Sequence, residues 1–155
     1  MATWNGGTFK LGQGEVINDN FSGVAANALD ADKVQPYIIK GTALGFAIGA
    51  TPTTREEIVH VVTVAGTIRG FHALLNDTGT ATGITFDLKK NGTTCLAAPV
   101  SITHGDLDRA TVNGTLSMTT LAAGDVLSIA MIVTTATGAQ GPFAWVNLEE
   151  NNAGT

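Results

Sequence analysis

The stretch Thr82–Lys90, with the Asn91-Gly92 pair that ends it, constrains this chain more than any other. Ile84, Phe86 and Leu88 alternate with Thr85, Asp87 and Lys89. That period of two belongs to a strand with one face in a core and the other in water. Asn-Gly is the strongest short hairpin signal, because a type I′ turn needs positive φ at both central positions. The next run, Thr93–Ala97, is therefore predicted to return antiparallel beside the first.

The same grammar recurs on both sides. Ile58–Val64 is β-branched and bounded by Gly66, and Thr67–Leu75 ends at Asn76-Asp77-Thr78-Gly79. Val100–Thr103, Ala110–Thr120, Val126–Thr134 and Phe143–Leu148 follow, and Leu127, Ile129, Met131 and Val133 share one strand face. Upstream, Tyr37–Ala50 reads as a strand whose start is set by Pro36. Breaks containing Gly recur about every ten residues, the spacing of sandwiches and barrels rather than of βαβ units. Thr54-Arg55-Glu56-Glu57 matches a helix capping box, but the β-branched run directly after it argues against a helix there.

These runs predict an all-β domain, an antiparallel two-sheet β-sandwich of about eight strands, which is the number of a jelly roll. An immunoglobulin-like sandwich is disfavoured because a lone Cys95 cannot supply the Cys–Trp–Cys pattern. Residues 1–36 are predicted to stand outside the sandwich as an extended N-terminal arm, with the domain over 37–150 and a polar tail over 151–155. In the arm, Met1–Asn20 contains Gly and Asn with isolated Trp4 and Phe9, and Phe21 follows. Ser22–Val34 has the makings of a short helix, with Ser22 as N-cap and Val24, Ala28 and Leu29 on one side. So short a helix needs a surface to dock on.

Composition removes several classes of function. At 155 residues, 44% hydrophobic and net charge −5, the chain suits one folded domain rather than a disordered segment. Lys40 interrupts Tyr37–Ala50. Val126–Val133 falls far short of the roughly 20 apolar residues of a membrane span. The start, Met1-Ala2-Thr3-Trp4-Asn5-Gly6, lacks the basic-then-apolar order of a signal peptide. With 8 Lys plus Arg scattered through an acidic chain, nucleic acid is a poor partner.

Asp, Glu, Lys and Arg make up only 14% of the residues, against about 25% in an average protein. Thr, Gly, Ala, Ser and Asn stand in their place. Immobilising a Lys or Glu forfeits up to about 2 kcal/mol of rotamer entropy, whereas Ala and Gly forfeit none. Two readings follow: Thr-rich strands in an ordinary β-protein, or an obligate oligomer with little of its surface left free.

Side-chain chemistry adds little. His60 and His72 lie in apolar strands, and His104 lies in Thr103-His104-Gly105-Asp106-Leu107-Asp108. A metal site needs three or four converging ligands with supporting partners. The Asp106-x-Asp108 pair alone lacks the other oxygens of a calcium loop, so a solvated turn is expected. Cys95 has no base near it in sequence and is expected in the core. No nucleophile elbow, phosphate-binding Gly loop or His-Glu-x-x-His motif is present. The chain is therefore expected not to be an enzyme and to use no cofactor, metal or small-molecule substrate.

Trp4, Phe9, Phe21, Tyr37, Phe71 and Trp145 offer either a sugar-stacking platform or an interface. Phe71 and Trp145 fall within strands, where core or subunit packing is expected, while Trp4 and Phe9 belong to an arm without a core of its own and want a partner. The competing functions are a carbohydrate- or receptor-binding module built on exposed aromatics, and a small hydrolase using His72 or His104 with a nearby Asp.

Four segments carry a family resemblance: Leu29-Asp30-Ala31-Asp32-Lys33-Val34-Gln35, Gly66-Thr67-Ile68-Arg69-Gly70-Phe71, Ile84–Thr93 and Leu121–Ile129. Together, over Tyr37 to Glu149, the chain resembles tailed-bacteriophage head decoration (cement) proteins and head-fibre bases with a jelly-roll, tumour-necrosis-factor-like fold. The resemblance implies a homotrimer on the outer surface of the virion capsid, assembled in the bacterial host cytoplasm, with the major capsid protein as partner. The arm's apolar residues Trp4, Phe9, Phe21 and Leu29 are then the candidate capsid contacts.

Overall fold

Asn91 and Gly92 adopt φ of 51° and 83°, the positive values that a type I′ turn demands. The computed structural model describes residues 10–11, 15–16, 37–45 and 47–151. Across the turn, β6 (Ala81–Lys90) and β7 (Thr93–Thr94) pair antiparallel, with Lys90 opposite Thr93. Thr82, Ile84, Phe86 and Leu88 are buried and the residues between them are half-buried, as the alternation predicts. Asn91 also reaches beyond its own hairpin. Its Nδ2 donates to Asp125 Oδ1 at 2.7 Å, and its Oδ1 accepts from the Val126 N–H at 2.8 Å.

The chain divides between Pro36 and Tyr37 into two units. Of the first, the described residues are β1 (Lys10–Leu11) and β2 (Glu15–Val16), an antiparallel pair. The predicted helix over 22–34 lies outside the described residues, as do Trp4, Phe9, Phe21 and Leu29.

The described residues of the second unit contain strands and no helix. Besides β6 and β7 they are β3 (Tyr37–Gly45), β4 (Arg55–Val61), β5 (Gly66–Asp77), β8 (Val100–Thr103), β9 (Val112–Gly114), β10 (Thr120–Leu121), β11 (Val126–Thr137) and β12 (Gln140–Asn151). One sheet runs β10-β5-β12-β3 and the other β4-β11-β6-β7; β9 also pairs with β5, and β8 with β6. The pairings are antiparallel. β9 and β10 share one edge position beside β5, and β7 and β8 share one beside β6, so each sheet is four positions wide. The chain alternates between sheets from β3 to β6, then threads β11 between β4 and β6 and β12 between β3 and β5. That wrapping order makes the sandwich a jelly roll.

Several boundaries differ from the sequence expectation: Thr93–Ala97 is strand only at Thr93–Thr94, Val126–Thr134 runs on to Thr137, and Phe143–Leu148 lengthens to Gln140–Asn151. Tyr37–Ala50 stops being a strand at Gly45, and a turn follows in which the Ala50 N–H donates to the Ala47 carbonyl at 2.8 Å. The Ile58–Val64 strand starts earlier, at Arg55, so the capping-box residues Arg55, Glu56 and Glu57 are themselves strand. Ala110–Thr120 is split because its middle bridges to the edge of the other sheet. Leu116 pairs with Leu96, the Ala97 N–H donates to Thr115 and the Ser117 N–H donates to Cys95.

Phe71, Ala73, Leu75, Leu44, Ala144, Val146 and Leu148 line the inner face of the first sheet. They meet Ile84, Phe86, Leu88, Ile102, Leu127, Ile129 and Met131 of the second. Three bulges set the register, one of them at Thr134 of β11, between the Val133–Ile84 and Thr135–Gly83 pairs. Asn147 pairs with Gly70 and Leu148 with Ile68, which leaves Arg69 as an extra residue and lets Ile68 and Phe71 both face the core. Leu127 pairs with His60 and Ser128 with Ile58, so Val59 is the extra residue in β4 and packs against the core.

Candidate functional site

In β12, Ala144, Val146 and Leu148 are buried, so Phe143, Trp145 and Asn147 project from the outward face of the first sheet. The register places Trp145 opposite His72 of β5 on one side and Ala43 of β3 on the other. The His72 and Trp145 rings stack with centroids 5.0 Å apart and planes 29° apart. Phe143 tilts against Trp145 at 5.5 Å and 38°. Offset and tilted pairs of this kind are the favoured aromatic arrangements.

Both nitrogens of His72 are occupied. Nδ1 lies 2.7 Å from Asn113 Oδ1, and Nε2 lies 3.2 Å from Asn147 Nδ2. Both ring nitrogens are thus engaged by uncharged side-chain amides. Glycine makes room for the rings: a Cβ at Gly70 would lie 2.8 Å from His72 Nε2, and one at Gly45 would lie 3.2 Å from the Phe143 ring. The set His72, Leu74, Asn113, Phe143, Trp145 and Asn147 contains no carboxylate, lysine or arginine. At the far end of the face Arg69 Nε donates to Glu149 Oε2.

The outward face of the second sheet is different. Glu56 accepts from Lys89 Nζ and from Ser128 Oγ, each at 2.7 Å. These bonds, the one from Lys89 first, hold its carboxyl below the usual range. Asp87 accepts from Thr94 Oγ1 at 2.6 Å. Ile58 and Ile132 stand out among these charges, 69% and 53% exposed.

The remaining sequence candidates take part in structural contacts. His60 Nε2 lies 2.5 Å from Glu150 Oε1, and Thr63 Oγ1 donates to Glu150 Oε2 at 3.2 Å. The carboxylate thus sits between hydroxyl and imidazole, whereas activating a nucleophile requires the imidazole in the middle. The pair joins β4 of one sheet to β12 of the other. Asp106 Oδ2 accepts from the Thr103 N–H at 2.7 Å and closes its own turn. Asp108 Oδ1 accepts from the Thr78 N–H at 2.7 Å and from Thr78 Oγ1 at 3.0 Å, tying this loop to the β5–β6 turn. Among the described residues no group of three or more His, Cys, Asp or Glu is placed to hold a metal ion. Cys95 is buried, and burial pushes its thiol up from the ordinary value. His104 is exposed in its loop.

Of the aromatics in strands, Phe71 is in the core and Trp145 is on the outer face. Their opposite fates were readable only from strand parity. That Phe143, Trp145 and Asn147 share a face is legible in their spacing, but their meeting with His72 and Asn113 depends on which strands pair.

The comparisons with known proteins bear on the fold. No family model and no curated protein matches the sequence. The structure is similar to a chain of the cyanophage Pam1 capsid asymmetric unit, with a TM-score of 0.51 and 15% sequence identity, over 74% of this chain and 86% of that one. At that identity the likeness is one of fold.

Proposed function

We propose that this protein is a structural component of a tailed-phage virion, a head decoration (cement) protein that binds the outer surface of the capsid as a homotrimer. The observation that carries the reading is the jelly roll, similar in fold to a chain of the cyanophage Pam1 capsid asymmetric unit. The segments of sequence resemblance and the low charge content support it. A cement protein needs a rigid domain, a subunit interface and a segment that reaches its neighbours, and it needs no catalytic group. Obligate interfaces often bury more than about 2,000 Å², which suits a surface with few charges to desolvate. Three linked arms raise effective concentration, and with it avidity, by about 10²–10⁴. Residues Trp4, Phe9, Phe21 and Leu29 of the arm are the proposed capsid contacts.

Mixing the purified protein with undecorated capsids of its phage and imaging them by electron microscopy tests the reading. Added density on the shell is expected, and bare shells at saturating protein would overturn it. Removing Met1–Phe21 is expected to weaken attachment more than folding of the sandwich. The stacked rings of His72 and Trp145 favour a second reading, a carbohydrate- or receptor-binding module. Binding on a glycan array, without capsid attachment, would select it.

A further inference from the structure

We propose that the outward face of the first sheet, centred on Trp145 and His72, is the surface through which copies of this chain associate. The inference rests on the oligomeric part of the reading above, to which it adds the interface.

Charge decides the partner. Each copy carries −5, so copies repel unless they approach through a surface free of carboxylates. The second sheet's outward face holds Glu56, Asp87 and Lys89, and facing copies there would bring like charges together. The first sheet's outward face has no carboxylate, lysine or arginine from Gly70 to Leu74 or from Phe143 to Asn147, and the Glu149 carboxylate beyond them is paired with Arg69. Such a surface is compatible with itself.

Polar satisfaction points the same way. The amides of Asn113 and Asn147 are already bonded to the two nitrogens of His72. Covering this face therefore strands few polar groups, which suits protein packing more than recognition of a sugar rich in hydroxyls. The rings are also pre-organised. His72 and Phe143 are held against Trp145, and Gly70 and Gly45 leave the space they occupy. Association then forfeits little side-chain entropy.

The area is sufficient. β5 and β12 are each twelve residues long in a sheet four positions wide. The edge positions are shorter, nine residues in β3 and three and two in β9 and β10, so at about 3.3 Å per residue and 4.8 Å per strand the face spans roughly 600 Å², its Arg69–Glu149 end included. Two such faces exceed the total of about 1,000 Å² that a specific interface needs.

The test is solution mass by light scattering, with capsid binding measured on the same samples. The wild-type chain is expected at a multiple of 15.9 kDa. Trp145→Glu places a carboxylate at the centre of the face and is expected to give the single-chain mass, raising the dissociation constant by more than about 10²-fold. Leu74→Glu, on the same face, is the second variant should Trp145→Glu fail to fold by circular dichroism. Ile58→Glu, on the other sheet, is expected to leave the mass unchanged. A wild-type protein of single-chain mass overturns the proposal, as does an assembled mass retained by a folded face variant, or dissociation by Ile58→Glu. If the face variants dissociate the assembly but wild type leaves capsids bare, the interface stands and the cement reading fails. If wild type is single-chain yet decorates capsids, the reverse holds.

Discussion

Phe71→Ala, taken with Gly114→Ala, probes how tightly the two sheets are locked at the β5–β9 edge. Phe71 is fully buried and pairs in register with Gly114. A Cβ at Gly114 would lie 3.0 Å from Phe71 Cδ1, 3.1 Å from Leu96 Cδ2 and 3.2 Å from Val100 Cγ2. The ring thus fills the space that a side chain at position 114 would need. Removing it leaves a void beside a residue with nothing to collapse into it, on a backbone held by strand pairing. Truncating a buried Phe costs about 3–5 kcal/mol, and limited collapse places this site at about 4. For a domain of this size, that lowers the melting temperature by about 15 °C. Gly114→Ala alone overpacks three side chains and costs about 1–3 kcal/mol. Together the new methyl occupies part of the void, so the double variant is expected to be more stable than the sum of the singles by about 1 kcal/mol or more. Urea unfolding of all four proteins, with constant m-values, measures the cycle. Additivity within about 0.5 kcal/mol, or a Phe71→Ala cost below about 2 kcal/mol, would refute this account of the packing.

Three further outcomes are expected. The Asp108 carboxyl is held below the usual range by the Thr78 N–H and then its hydroxyl, and that of Asp125 by the Ala122 N–H and then the Asn91 amide. Because their folded pKa values are lowered, both contribute stability above the unfolded value of about 3.9 and lose it as pH falls through the lower folded values. Below about pH 4, the melting temperature of wild type should drop more steeply than that of Asp108→Asn combined with Asp125→Asn, and equal slopes would count against the assignment. Buried Cys95, its thiol pushed up by burial, should resist a thiol reagent in the native protein and react fully in denaturant; rapid native labelling would contradict the burial. Gly92→Ala should cost about 1 kcal/mol from backbone conformation alone, because φ is 83° and nothing lies within 4 Å of the added Cβ. A loss above about 2 kcal/mol in denaturant unfolding would show that more than conformation is at stake.

Locally encoded features were legible because their causes lie within a few residues. The alternation in Thr82–Lys90 fixes which side chains face inward, and Asn91-Gly92 fixes the reversal, since both depend only on neighbouring backbone geometry. Val100–Thr103 was readable to the residue for the same reason. The assembly of these strands was not. Nothing in Ala110–Thr120 announces that Leu116 crosses to Leu96 and cuts the strand in two. Nor does Arg69 or Val59 announce itself as a bulge, because an extra residue exists only relative to the partner strand. Those bulges matter, since a slip of one residue turns every following side chain to the opposite face.

Sequence alone thus determined the β-character of the chain, its turns and the inward or outward parity of individual strands. Tertiary structure decided that His72, Trp145, Asn113 and Asn147, drawn from three strands, form one surface free of carboxylates. Strand pairing is a long-range choice governed by the burial of both sheets at once, and no local stretch contains it.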